Sequence, residues 1–297
     1  MKKMMPVILM LAIILISAGS VRAGENGRSA PEVLHLHDNT FSCIYEGVKH
    51  NFILDLPEKT EGAPLVLMLP GYGNTAESFR DSVHFEEDAN PQGYAVVYII
   101  GARDPNDPAS SVGWNSGIAA GGNDDVGFLV SLAEYLQKEY AFDSKRTCAV
   151  GFSNGAFMVH RLAAEAADTF SAFVSVAGAM PVKIWNKRSN VNDLSFFQIT
   201  GESDYVVPKH SDGSAQTAKD PAIEDVIEYW AASNGLGCNE SEVIGNGSTL
   251  TKCRKEGTSN QVWSLFVRNG RHSWPGVKLN GIDTNSLILE FFSTVTP

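Results

Sequence analysis

Positive charge is scarce in this chain of 297 residues: 23 lysines and arginines stand against 34 aspartates and glutamates, a formal net charge of −11. That balance argues against nucleic acid and anionic membrane surfaces as partners, because both repel an acidic protein. Cysteine is also sparse, with 4 residues. No Cys or His spacing matches a zinc site, so no metal and no cofactor are expected. Beyond the first residues no apolar run is long enough to cross a bilayer. There is no internal repeat and no low-complexity linker, which excludes solenoids and strings of small modules.

What is present begins with Lys2 and Lys3, the apolar run Val7 to Ile16, and Val21-Arg22-Ala23. A basic start, a short hydrophobic middle and small residues at the end form the pattern of an export signal. Residues 1–23 are therefore expected to be a signal peptide, 24–40 a loose N-terminal segment, and 41–297 one catalytic domain in a secreted or periplasmic protein. Export permits disulfides. Cys238 and Cys253 flank a polar, glycine-rich excursion and are the expected pair. Closing such a loop contributes about 3 kcal/mol in the chain-entropy model. Cys148 lies within an apolar strand and reads as a buried thiol, while Cys43 is left open.

From Leu65 onward, apolar strand-like runs alternate with helix-like stretches. Phe41–Tyr45 and Lys49–Leu56 read as a hairpin through Glu46-Gly47. Leu65–Leu69, Ala95–Ile100, Thr147–Val150, Ala172–Ala177, Leu194–Thr200 and Val262–Val267 read as buried strands. Helices are expected over 75–89, after Asn123-Asp124, after Ser153, after Asp220-Pro221 and over 284–292. Gly101–Gly122 is a long loop, and 181–193 a polar insertion. The alternation predicts an α/β fold: a mostly parallel sheet with an antiparallel N-terminal hairpin and helices on both faces. In such sheets ligands bind at the carboxyl ends of the strands.

One stretch lies at such an end and carries chemistry. Thr147-Cys148-Ala149-Val150-Gly151-Phe152-Ser153-Asn154-Gly155-Ala156 reads as strand, Gly-x-Ser-x-Gly, then helix. This is the pattern of a nucleophile elbow, with Ser153 held on a sharp turn above the sheet. A serine hydroxyl needs a base, and histidine suits the task because imidazole titrates near neutrality. Of seven histidines, His272 follows the last strand, where the order Ser, acid, His requires the base; His210 is the rival. The acid is expected after the strand ending at Thr200, with Asp204 first, Glu202 second and Asp212 third. Its task is to orient the imidazole and stabilise its charged form. Oxyanion donors are expected from the backbone N–H of Asn154 and from the Gly-rich turn after Leu69, with Tyr72 chosen.

Taken in order, Leu69-Pro70-Gly71-Tyr72-Gly73-Asn74, Gly113-Trp114-Asn115, Asp124-Asp125-Val126-x-Phe128, Gly151-Phe152-Ser153-Asn154-Gly155-Ala156, Gly201-x-x-Asp204-x-x-Val207-Pro208 and His272-Ser273-Trp274-Pro275-Gly276 resemble one family. It is the secreted polyhydroxybutyrate-depolymerase and feruloyl-esterase group of the α/β-hydrolases, carbohydrate esterase family one. The resemblance covers most of the chain after Phe41. It implies serine carboxylic-ester hydrolysis with Ser153, Asp204 and His272 as the triad. Expected substrates are feruloyl or acetyl esters on plant cell-wall polysaccharide fragments, or hydroxyalkanoate oligomers. Trp114 and Trp274 are implied as walls for the substrate, and Asp124-Asp125 as a helix cap and anchor. The family often has His-Gly where this chain has Pro70-Gly71, which a backbone donor tolerates. A serine peptidase on the same fold and a silent polysaccharide-binding protein are the alternatives.

Overall fold

A computed structural model of the chain describes residues 29–107, 109–118, 122–189, 194–209 and 220–296. The expected signal peptide, His210 and Asp212 lie outside the described residues. Eleven strands form a single sheet: β1 (Glu32–His37), β2 (Thr40–Tyr45), β3 (Val48–Asp55), β4 (Leu65–Leu69), β5 (Ala95–Ile99), β6 (Thr147–Phe152), β7 (Ala172–Val176), β8 (Ser195–Gly201), β9 (Gly237–Ile244), β10 (Ser248–Arg254) and β11 (Val262–Val267). Their spatial order is β1-β2-β3-β5-β4-β6-β7-β8-β11-β10-β9. The six strands from β5 to β11 run parallel. The strands outside them pair antiparallel.

Helices α1 (Ala76–Val83), α2 (Phe85–Ala89), α3 (Asp125–Tyr140), α4 (Asn154–Glu165), α5 (Val182–Lys187), α6 (Ile223–Ser233), α7 (Val277–Asn280) and α8 (Thr284–Val295) fill the connections. Strands β4, β5, β7 and β8 have every residue buried, and successive side chains enter opposite cores. Leu65, Leu67 and Leu69 join the apolar stripes of α3, α4 and α6 on one face. Val66 and Met68 meet α1, α2 and α8 on the other. β4 has β5 on one side and β6 on the other, so the strand order reverses there. The turns leaving β4 and β6 consequently open side by side, at the position where sheets of this class bind ligands.

Two local expectations need correction. Residues 32–37 are not loose; they form β1 and pair with β2. An edge strand held by backbone bonds, with five of its six residues exposed, has no apolar pattern to announce it. The helix foreseen over 75–89 is two helices, because His84 turns into the left-handed region at φ 48°. Its start is closed by Thr75 and Ser78, which cap each other's backbone N–H. The excursion between the two paired cysteines is the β9–β10 hairpin, and Cys238 and Cys253 are disulfide-bonded. Cys43 and Cys148 are free and buried.

Candidate active site

The turn after β6 sets the nucleophile position. Ser153 has φ 52° and ψ −117°, a backbone region that costs an L residue about 1–3 kcal/mol. The flanking glycines allow this turn for steric reasons. A Cβ on Gly151 would lie 2.2 Å from the Gly155 carbonyl oxygen, and one on Gly155 would lie 2.0 Å from that of Leu69. The Ser153 amide donates to the Val176 carbonyl of β7 at 3.0 Å, which anchors the turn to the sheet. Behind it α4 begins, presenting its partially positive end.

The Ser153 hydroxyl lies 2.9 Å from His272 Nε2, and His272 Nδ1 lies 2.8 Å from Asp204 Oδ2. A carboxylate only accepts, so Nδ1 carries the proton and Nε2 is free to accept from the serine. Asp204 is buried, and its other oxygen accepts from the Val206 and Val207 amides, both at 2.9 Å. Three donors thus hold this carboxylate in one orientation. The Asp204 and His272 loops meet because β8 and β11 are neighbours and their ends are joined through the backbone. The Ser203 amide donates to the Gly270 carbonyl at 2.8 Å, and a Cβ on Gly201 would lie 2.4 Å from that oxygen. Glu202 is exposed and plays no part in the chain of bonds.

The Pro70–Gly73 turn lies against the nucleophile: a Cβ on Gly71 would sit 3.3 Å from Ser153 Cβ. Tyr72 is half in solvent at 59% exposure. A cavity of about 610 Å³ opens beside Ser153 and is lined in part by Tyr72, Trp114, Asn154, Phe157, Val206 and Asp125. Asp125 is buried, and burial pushes its carboxyl up to about 7, against the pull of the Asn115 amide and Arg161.

The chain is similar to several known proteins. The model of the prolyl oligopeptidase family matches residues 114–204, which include Ser153 and Asp204. The chain is similar to the putative esterase NocK of Nocardia uniformis subsp. tsuyamanensis, 27% identical over 74% of this chain and 68% of that one. It also resembles feruloyl esterase B of Talaromyces stipitatus (30% identical, 39% of this chain, 32% of that one). Acetylxylan esterase A of Emericella nidulans is 23% identical over 48% of this chain and 46% of its own length. The chain thus spans less than half of these last two relatives. Among solved structures, an acetyl xylan esterase from Aspergillus awamori superposes with a TM-score of 0.60 at 13% identity, over 82% of this chain and 94% of that one. The Bacillus cereus carboxylesterase superposes with a TM-score of 0.54 at 15% identity, over 82% of this chain and 93% of that one.

The chain has the fold of the α/β-hydrolase esterases.

In this fold Ser153, His272 and Asp204 come together, and Asn154 and Tyr72 flank the serine. Of the two tryptophans expected as walls, Trp274 departs from expectation. Trp274 does not line the cavity. Its indole packs edge-on to Phe79 at 5.9 Å, and its N–H donates to Asn285 Oδ1 on α8 at 3.2 Å. Phe79 stacks on Phe152, whose ring lies 5.2 Å from the His272 imidazole. Trp274 therefore seats the His272 loop. Trp114 does line the cavity but is 6% exposed, and all its polar atoms are engaged within the protein. Asp124 caps α3 through the Gly127 amide at 3.0 Å. Asp125 holds the Asn115 amide at 2.6 Å. Sequence reasoning missed the Asn154 side chain, which grips the Trp114 backbone; the only available signal was an Asn where the elbow pattern allows any residue. Among the described residues, His84, Glu86 and Glu87 form the one group with metal-ligand spacing.

Proposed function

We propose that the protein is an exported serine carboxylic-ester hydrolase working through an acyl-enzyme, with Ser153 as nucleophile, His272 as base and acid, and Asp204 as orienting acid. The observation that carries this reading is the unbroken line of hydrogen bonds from Ser153 through His272 to Asp204. His272 Nε2 takes the hydroxyl proton as Ser153 Oγ attacks the ester carbonyl. The imidazolium is stabilised by Asp204. The carbonyl oxygen, now an anion, lies against the Asn154 and Tyr72 amides, and one such donor contributes about 3–4 kcal/mol to the transition state. His272 then protonates the departing alcohol. Water repeats the sequence on the acyl-serine and frees the acid.

The substrate class is an ester of acetyl or feruloyl type on a polysaccharide fragment, with hydroxyalkanoate oligomers as the other candidates. The names of two relatives, an acetylxylan esterase and a feruloyl esterase, support the first. Export is supported by the Cys238–Cys253 disulfide, a bond that persists in oxidising compartments. The Lys2 to Ala23 pattern points the same way. No helix among the described residues is long and apolar enough to cross a membrane. The prolyl oligopeptidase match favours a second reading, a peptidase, on the stretch around the elbow alone. Turnover of p-nitrophenyl acetate separates enzyme from binder: Ser153→Ala is expected to lose about 10⁶-fold in kcat with the fold intact. Equal turnover of a matched ester and anilide would contradict the esterase assignment. A panel of feruloyl, acetyl-xylan and hydroxybutyrate esters then assigns the acyl group.

A further inference from the structure

We propose that Trp114 is a positioning residue that sets the spacing between the two halves of the oxyanion hole. The inference rests on the reading above, in which the Asn154 and Tyr72 amides receive the negative oxygen. Those amides belong to different elements. Asn154 opens α4, and Tyr72 sits in the turn after β4. No single element fixes the gap between them, yet a donor is effective only at about 2.7–3.1 Å from the developing anion.

Trp114 touches both halves. Its backbone N–H donates to Asn154 Oδ1 at 2.7 Å, and its carbonyl accepts from Asn154 Nδ2 at 3.3 Å. The Asn154 side chain is thereby gripped as a strand partner would be. The indole points the other way, and Nε1–H donates to the Pro70 carbonyl at 3.0 Å in a buried bond. That carbonyl belongs to the peptide unit next to the one carrying the Tyr72 N–H. One residue therefore ties the elbow to the turn.

Its neighbours share the arrangement. The Gly73 amide donates to Val112 O at 2.8 Å. The Ser111 amide donates to the Tyr72 hydroxyl at 2.9 Å. Gly113 lies between the two halves: a Cβ there would be 2.7 Å from the Tyr72 ring and 3.1 Å from Asn154 Oδ1. The strap is tied down behind by Asn115, whose amide donates to Asp125 and whose carbonyl accepts from Arg161. Buried and fully bonded, Trp114 offers no polar atom to a substrate.

Trp114→Phe keeps the ring and removes the N–H. Because the oxyanion exists only in the transition state, the loss falls on kcat rather than KM. With p-nitrophenyl acetate, kcat is expected to fall about 10- to 100-fold, less than the 10²–10³-fold seen when a donor is removed outright, with KM within about twofold. Affinity for an arylboronic acid, which forms a tetrahedral adduct on serine, should fall by the same factor as kcat/KM. Asn154→Ala cuts the bridge from its other end and keeps the backbone N–H. The double variant should then lose little more than the worse single one, the non-additive result expected of residues acting through one contact. An unchanged kcat in soluble Trp114→Phe, or losses that multiply in the double variant, would overturn the proposal. If Trp114→Phe does not fold, Asn154→Ala alone decides, by the same kcat-selective loss or its absence. Wild-type turnover that survives Ser153→Ala would instead sink the serine-esterase reading.

Discussion

The two sides of Ser153 are built in different ways. On one side lie His272 and Asp204, joined to the serine by side-chain bonds of 2.9 and 2.8 Å. On the other lie the Pro70–Gly73 turn and the Gly113–Ser116 strap, where most bonds engage backbone groups. In the proposed mechanism the first side moves protons and demands particular side chains, and the second stabilises charge and demands only that amides be held in place. Substitutions on the first side should remove the reaction's means, and those on the second should degrade its geometry.

The comparison is tested most severely at Asp204. An amide there would donate to Nδ1, forcing the proton onto Nε2, where it can no longer accept from the serine. Asp204→Asn is expected to lower kcat about 10⁴-fold, measured with a p-nitrophenyl ester. A loss as small as that expected for Trp114→Phe would erase the distinction between the two sides. A smaller effect concerns the turn itself. If the backbone at Ser153 is strained, Ser153→Gly should be more stable than Ser153→Ala by about 1 kcal/mol or more in urea unfolding. Equal stability would show that the neighbouring glycines alone carry the turn.

A further effect is electrostatic and sits behind the strap. Burial raises the Asp125 carboxyl from an ordinary 3.8 to about 7, so in that window the folded chain binds a proton more tightly than the unfolded one. Stability contributed by the protonated group is therefore lost as the pH rises from about 4 to 7. Asp125→Asn keeps an acceptor for the Asn115 amide and carries no charge. Its melting temperature should exceed that of the wild type above pH 7 and converge with it near pH 4. A constant gap would place the effect in packing. The acid limb has a separate origin. Burial lowers His50 to about 4 and His160 to about 3, so stability falls as the pH drops below 6.5, where only the unfolded chain takes up these protons.

The same contrast explains what the sequence disclosed. Leu65–Leu69 and Val262–Val267 have the boundaries foreseen, because strands buried on both faces read as unbroken apolar runs. The β9 strand, Gly-Cys-Asn-Glu-Ser-Glu-Val-Ile, is almost wholly exposed and is held by backbone pairing to β10. Nothing in its composition marks a strand. At the site, the meeting of Ser153, Asp204 and His272 was legible because a serine–histidine–acid line uses those residue types at strand ends. The strap was not, because a carbonyl or amide has no residue identity. Trp114 and Trp274 were visible as aromatics, but whether an indole faces solvent or a neighbouring loop depends on contacts across more than forty residues of chain, such as Trp114 to Pro70. His84 split a helix for a related reason: a left-handed residue ahead of Phe85 lets that side chain reach the core.

The central claim is that the hydroxyl of Ser153 attacks the substrate. It is tested most directly by treating the protein with a p-nitrophenyl phosphonate and locating the adduct by mass spectrometry of the digested chain. A single phosphonyl group on the Ser153 peptide, released with one equivalent of p-nitrophenol and absent from Ser153→Ala and His272→Ala, is the result expected. Labelling at another residue, or full ester turnover with Ser153 unlabelled, would contradict it.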